Sequence, residues 1–240
     1  MKPDTFNIYV MSYMRSDVVL SQDMFEYCTY VVRESEAKDY NANGVMNLIT
    51  IPDNAVYDFM STLYWIINNT PEDVIFIADD DIQSFVYRQE ETRYIVTPDN
   101  ETDTETITSE IERIAQLIVD LNIGLAYDQS NRAPYAYDKE FQFKGMPGHM
   151  RWINKKALKA TYDPHDPASS DIDMAMQELL HNRIVLQPKY LCVRAGMDTN
   201  KGIVEDRAEH LILVESMKNK WGRYYGYDYR KNTAKINVQR

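Results

Sequence analysis

A chain of 240 residues with 44% hydrophobic and 26% charged residues has the composition of an ordinary soluble globule, with material for one α/β domain and at most a small appendage. A net charge of −11 argues against a protein that coats nucleic acid, and every apolar stretch is too short to span a bilayer. The start Met1-Lys2-Pro3-Asp4 carries no signal-peptide pattern, so a cytoplasmic setting is expected, and Cys28 and Cys192, far apart in apolar runs, read as buried thiols.

Residues 6–14 (Phe-Asn-Ile-Tyr-Val-Met-Ser-Tyr-Met) predict a first strand that delivers Arg15, Ser16 and Asp17 into a loop suited to the floor of a nucleotide site. Residues 27–32 predict a second strand, ending in Arg33-Glu34-Ser35-Glu36. Residues 47–51 predict a third, closed by Pro52-Asp53-Asn54, with Asn54 placed to cap a helix over about 55–68. Val56, Phe59, Met60, Leu63 and Ile67 form the apolar stripe of that helix. Residues 74–78 (Val-Ile-Phe-Ile-Ala) then make a β-branched apolar run that reads as a buried strand of a mainly parallel sheet. Strands alternating with helical segments indicate βαβ units with right-handed crossovers.

Asp79-Asp80-Asp81 follow that run directly, so they emerge at the carboxyl edge of a strand, where open α/β sheets bind ligands. Three adjacent acids repel one another and need a cation, protonation or strong solvation. Alternate positions share a face, which lets Asp79 and Asp81 enter one site while Asp80 points away. Two hard oxygen donors completed by water and phosphate suit Mg²⁺ or Mn²⁺; the alternative is a solvated acidic turn.

Residues 90–108 hold six acids and many threonines and read as a solvated loop long enough for a lid. Ser109 and Glu112 have capping-box spacing ahead of a helical face made by Ile111, Ile114, Ala115, Ile118 and Leu121. Residues 125–137 read as an aromatic loop shaping a pocket, and residues 148–153 as a further strand. Ser169-Ser170-Asp171-Ile172-Asp173 opens a helix, where acids cap and complement the dipole; one of the two carboxylates is also placed to serve a pocket as a general base. Residues 184–186 and 190–193 suggest two short strands, 196–202 a loop and 204–214 an amphipathic helix. Of the four histidines, His149 and His210 are the candidate metal ligands. The charge is uneven. Residues 217–240 carry Lys218, Lys220, Arg223, Arg230, Lys231, Lys235 and Arg240 against Asp228 alone, and residues 139–160 carry six cations against Glu140. Aromatic residues interleave both stretches (Phe141, Phe143, Trp152; Trp221, Tyr224, Tyr225, Tyr227, Tyr229), as a stacking and phosphate-contacting surface requires.

Taken together, the first strand with its Arg-bearing end, Val31-Val32-Arg33-Glu34-Ser35-Glu36-Ala37, Ile77-Ala78-Asp79-Asp80-Asp81 and Ser170-Asp171-Ile172-Asp173 resemble a GT-A glycosyltransferase, with its Asp-x-Asp metal motif and later Glu-Asp motif. Residues 9–81 are similar, more narrowly, to the phage TET-associated glycosyltransferases, which are linked to sugar transfer onto 5-hydroxymethylcytosine in DNA. Ser170 stands where the family has its Glu.

The resemblance implies a GT-A-like α/β domain over residues 1–216, a mixed, mostly parallel sheet flanked by helices, and a basic aromatic C-terminal extension over 217–240. It implies a UDP-sugar donor with Mn²⁺ or Mg²⁺ held by Asp79 and Asp81, and His210 is the candidate for a third ligand, while no histidine falls on the family's C-terminal ligand position. Arg15, Asp17, Glu34, Asp79 and Asp80 would line the donor site. Asp171, with Asp173 beside it, would deprotonate the acceptor, and a single displacement would invert the anomeric centre. The acceptor implied is hydroxymethylated DNA in a phage-infected bacterium, without membrane association. The rival expectations are a protein, glycan or lipid acceptor for the same chemistry, or a nucleotide- or DNA-binding module without catalysis.

Overall fold

A computed structural model describes residues 2–17, 19, 21–88, 94–97, 101–128, 139–195 and 207–239. Its centre is a six-stranded sheet built from β1 (Phe6–Met11), β2 (Thr29–Arg33), β3 (Leu48–Ile51), β4 (Val74–Asp79), β7 (Leu125–Tyr127) and β9 (Met150–Asn154), in the order β3-β2-β1-β4-β9-β7. The four strands β3, β2, β1 and β4 run parallel, and β9 is antiparallel to both β4 and β7. The period of two decides the layering. Ile8, Val10, Tyr30, Val32, Val74, Phe76 and Ala78 bury one face against α3 (Glu101–Asp120) through Ile107, Ile111, Ile114 and Ile118. Tyr9, Met11, Val31, Ile75, Ile77 and Ile153 bury the other face against α2 (Phe59–Asn69) and α4 (Asp171–His181).

Three smaller sheets sit around this frame. β5 (Ile82–Arg88) pairs with β6 (Tyr94–Thr97) and β11 (Leu191–Ala195), and β8 (Phe141–Gln142) pairs with β10 (Gln187–Pro188). The hairpin of β12 (Tyr225–Asp228) and β13 (Thr233–Ile236) follows α5 (Arg207–Trp221). A short helix, α1 (Ala37–Ala42), connects β2 to β3. Val214, Met217 and Tyr225 pack with Met176 and Ala168 in a small third core, so α4 lies between the main sheet and the C-terminal element. Among the described residues no helix is long and apolar enough to cross a membrane.

Several boundaries differ from expectation for identifiable reasons. The first strand stops at Met11 because the following loop turns through Met14, whose φ of 56° is left-handed. Among its described residues, the link from β1 to β2 holds a short 3-10 turn, Ser21–Met24, and no α-helix. Asp58, not Asn54, caps α2: its side chain accepts from Ser61 N and Ser61 Oγ accepts in return from Asp58 N. The acidic stretch expected as a loop is helical from Glu101 onward, because Ile107 and Thr108 already belong to the buried stripe of α3, which places Ser109 inside the helix. Residues 125–127 form β7, and 129–138 lie outside the described residues, as does the expected loop at 196–202. The expected domain boundary at 216/217 falls inside α5.

Candidate metal and donor site

β4 ends at the carboxyl edge of the parallel strands, and its last residue, Asp79, is in register with Met11 of β1. The backbone there is fixed from two sides. Asp79 N donates to His149 O at 3.2 Å, and the buried Ser21 hydroxyl donates to Asp79 O at 2.9 Å while accepting from Ile82 N at 3.3 Å. The turn of Asp80 and Asp81 is thereby closed before β5 begins.

This geometry separates the three acids. Asp79, Asp81 and His149 each offer a ligand atom, and these atoms lie within 4.8 Å of one another. Two carboxylates and an imidazole are a donor set suited to Mn²⁺ and related divalent ions, so the residues present fit such a cation. Asp80 turns into the β1 side, where Ser12 Oγ donates to Oδ2 at 2.5 Å and Arg15 Nη1 lies 2.5 Å from Oδ1. Ser12 also meets the Tyr40 hydroxyl at 2.5 Å, which accepts from Arg15 N at 3.2 Å, so the loop that aims Arg15 is held at both backbone and side chain. Arg15 Nη1 is 3.7 Å from Asp81 Oδ2 as well.

The electrostatics follow from burial and pairing. Burial works against charge on Asp79, but Arg151 at 3.3 Å and the His149 ring at 3.3 Å hold its carboxyl below the ordinary value. The same contact with Asp79 raises His149. Burial pushes Asp80 up to about 6 in spite of Ser12 and Arg15, with Asp81 and Asp79 adding to the rise. Asp128, directly after β7, is fully buried and is likewise pushed up to about 6 by that burial. Its Oδ1 accepts from Met150 N at 2.8 Å, while Oδ2 has no partner among the described residues. Gly148 is required beside it: a Cβ there would stand 2.0 Å from Asp128 Oδ1.

The remaining expected site residues fall in different places. Asp171 is half-buried at the first turn of α4, and its Oδ1 accepts from Ile172 N at 2.7 Å. Its charge reaches both Arg151 and Tyr127, which ties it electrostatically to the Asp79 edge. Asp173 is only 2% exposed and is committed elsewhere: Oδ1 accepts from Trp221 Nε1 at 2.7 Å, and Oδ2 from Lys220 Nζ at 2.9 Å and Gln177 Nε2 at 2.8 Å. The cap of α4 is the Ser170 hydroxyl, which accepts from Asp173 N at 3.1 Å. His210 lies on α5, its Nε2 2.7 Å from the Tyr227 hydroxyl, and is not in the Asp79 group; His149 is the histidine brought there. Glu34 is exposed, and its neighbour Glu36 is the acid that accepts from Met14 N at 2.8 Å. Asp17 is exposed in the loop after Arg15.

Two residues of this edge escaped the sequence reading. Arg151 sits in an apolar strand, Met150 to Asn154, and a cation there demands a buried anion, which is Asp79. Asp128 follows the apolar Leu125-Ala126-Tyr127 as Asp79 follows its own strand, a signal that was present but lay inside a stretch read as irregular loop.

No protein-family model matches the chain, and no curated protein matches it in sequence. Solved structures do match in shape. A mycobacterial protein aligns with a TM-score of 0.55 at 10% identity, covering 97% of this chain and 83% of its own. Glucosyl-3-phosphoglycerate synthase from Mycobacterium tuberculosis, in complex with Mn²⁺, UDP-glucose and phosphoglyceric acid, aligns at 0.53 and 9% identity over 97% of this chain and 86% of its own. Another structure of the same synthase gives 0.53 and 10% over 98% and 88%. At such identity the likeness speaks for architecture alone, and it extends over nearly the whole of this chain and more than four fifths of the matched ones. The chain therefore has the α/β fold of GT-A glycosyltransferases, with its mostly parallel six-stranded sheet flanked by helices.

Proposed function

We propose that this chain is a metal-dependent glycosyltransferase that moves a sugar from a nucleotide-sugar, a UDP-sugar in the first instance, to a hydroxyl acceptor. The observation that carries this reading is the meeting of Asp79, Asp81 and His149 at the carboxyl edge of β4. Mn²⁺ or Mg²⁺ held there would supply Lewis-acid neutralisation of the departing diphosphate. The synthase of the same fold was solved with Mn²⁺ and UDP-glucose, which favours the same ligand class here. Arg15, backed by Asp80, Ser12 and Tyr40, would bind donor phosphate, and the exposed Asp17 and Glu34 would add donor contacts from solvent-facing positions. Asp171 would take the acceptor proton as the acceptor oxygen bonds to the anomeric carbon and the bond from that carbon to the diphosphate oxygen breaks. Asp173 would hold the helix start in place rather than share the proton.

For the acceptor, the resemblance over residues 9–81 points to a hydroxymethylated pyrimidine in phage DNA. The exposed cations Arg223, Arg230, Lys231 and Lys235 on the C-terminal element support it. A base inside a duplex would have to be flipped out, or presented single-stranded. A second reading, a small, glycan or protein acceptor, is favoured by the fate of the C-terminal aromatics. Trp221 is bonded to Asp173, Tyr225 is buried, and Tyr227 bonds His210, which leaves Tyr224 and Tyr229 as the large exposed rings of that segment. Incubation with 5-hydroxymethylcytosine DNA, UDP-sugars and Mn²⁺ should yield glycosylated base detectable by mass spectrometry, and EDTA should stop it. Transfer that persists in EDTA would sink the metal role. DNA affinity that does not weaken with added salt would favour the second acceptor class.

A further inference from the structure

The start of α4 is gripped from outside its own helix. Asp166, in the loop ahead of it, and Asp173, in its first turn, both accept from Lys220 Nζ, at 2.6 and 2.9 Å, and Asp173 also accepts from Trp221 Nε1 at 2.7 Å. Lys220 and Trp221 close α5, and Met217 one turn earlier brings its sulfur to 3.9 Å from the Ser170 hydroxyl that caps α4. Val214, Met217 and Tyr225 add the apolar packing of this joint against Met176 and Ala168. The far end of the same C-terminal element is tied down as well. Lys144 Nζ donates to Val238 O at 2.6 Å, and Ile236 and Val238 pack against the core that α2 and α4 share.

A helix start needs such a grip. Its first N–H groups have no intrahelical partners, so the first turn frays unless something holds it. The Ser170 hydroxyl and Asp171 Oδ1 satisfy two of those groups, Asp173 N and Ile172 N, but both bonds lie within the turn and would move with it. Trp221 and Lys220 belong to another element and hold the turn against it. Asp173 is buried, and a buried carboxylate is strongly bound to the donors that compensate it. With about 100° between successive helical residues, fixing Asp173 on the α5 side directs Asp171 to the other, where Tyr127 donates to its backbone oxygen at 3.3 Å and Arg151 feels its charge. We infer that the C-terminal element is a working part of the site, in which Trp221 and Lys220 are positioning residues that act through Asp173 to set the aim of Asp171. The inference rests on the reading of Asp171 as the group that takes the acceptor proton, and it assigns the aim of that group to α5.

UDP release from a panel of UDP-hexoses with Mn²⁺ tests it on the full chain, with water as the acceptor: the water oxygen bonds to the anomeric carbon, the bond from that carbon to the diphosphate breaks, and Asp171 takes the proton. Trp221→Phe keeps a ring in the apolar joint and removes the Nε1 donor. It should lower kcat about tenfold and leave KM for the donor and the Mn²⁺ affinity within about twofold. Lys220→Met should lower kcat in the same way but less, because Asp173 keeps Trp221 and Gln177. In the Asp171→Asn background Trp221→Phe should cost less than about twofold more, since a group that acts through Asp171 has nothing left to aim. An equal loss in both backgrounds, or a rise in KM at unchanged kcat, would overturn the inference and leave Asp171 as the base. Unchanged kcat in Asp171→Asn would remove the base and the inference with it, and absence of UDP release by the natural chain from every donor would remove the transferase reading as well.

Discussion

At the end of β4, Asp79 and Asp81 stand two residues apart and converge with His149; at the start of α4, Asp171 and Asp173 stand two residues apart and part company. The sequence spacing is the same and the backbone is not. Along a strand and the turn that extends it, alternate side chains share a side, whereas on a helix two residues are rotated by about 200°. The helix therefore sends Asp171 toward Arg151 and Tyr127 and delivers Asp173 to Lys220 and Trp221 on α5. One pair of acids gathers its carboxylates beside one imidazole, and the other divides between the Arg151 side of the sheet and a joint with α5. An acid pair acquires meaning only once the period of its element is known.

The largest effect should come from the convergent pair. Asp81→Ala removes one of the three gathered ligand atoms, and if the metal contributes about 4 kcal/mol at the transition state, transfer should fall on the order of 10³-fold. Single-turnover assays at saturating Mn²⁺ would show it; a variant retaining a tenth of the activity would break the claim that convergence matters.

Asp128 belongs with the strand-end acids and sharpens the contrast through pH. Burial raises its folded pKa to about 6, above the ordinary Asp value. A raised carboxyl contributes stability when protonated, below the unfolded pKa, and loses that contribution as pH rises through the folded pKa. Between about pH 4 and 6 the chain should lose up to roughly 3 kcal/mol from this group, a share of the loss that Asp128→Asn lacks while it keeps that of Asp80. Calorimetric melting of both proteins at pH 4.5 and 7 should show the variant gaining on the natural chain; parallel curves would contradict the assignment.

The divergent pair predicts a separation of effects. Asp171→Asn should leave melting nearly unchanged and reduce transfer on the order of 10²-fold. Asp173→Ala strips partners from Trp221, Gln177 and Lys220, and because Lys220 is partly exposed the cost should be about 2 kcal/mol, roughly 4–8 °C in Tm for a chain of this size. Identical behaviour of the two variants would mean that the helix does not divide their roles.

Much of the main sheet was legible because buried parallel strands announce themselves as apolar β-branched runs, as at residues 74–78 and 29–32. The triplet after β4 was legible because acids rarely follow such a run without a reason. Pairings between distant segments were not. Nothing local says that Arg151 meets Asp79 across β9 and β4, or that Trp221 and Lys220 close on Asp173 some 50 residues earlier. His149 and His210 looked alike in sequence, and only the antiparallel register that sets β9 beside the end of β4 separates them. Acidity misled at residues 101–108, where threonines and glutamates suggested solvent while Ile107 and Thr108 continued a buried helical stripe.

The smallest expected effect tests why the strand-end pair converges at all. Ser21 is fully buried, and its hydroxyl spans the mouth of the turn, donating to Asp79 O and accepting from Ile82 N. Ser21→Ala leaves that carbonyl and that N–H without this link and should cost about 1 kcal/mol, or roughly 2–4 °C in Tm. The loss in stability would be ordinary; its companion would not. If the hydroxyl fixes where Asp81 stands relative to Asp79, Mn²⁺ affinity measured with UDP present should drop several-fold in the same variant, whereas Asp173→Ala, which costs more stability far from the turn, should leave that affinity unchanged. Mn²⁺ affinity falling equally in both would mean that the site responds to general loosening, and that convergence of the strand-end acids is not set by the turn.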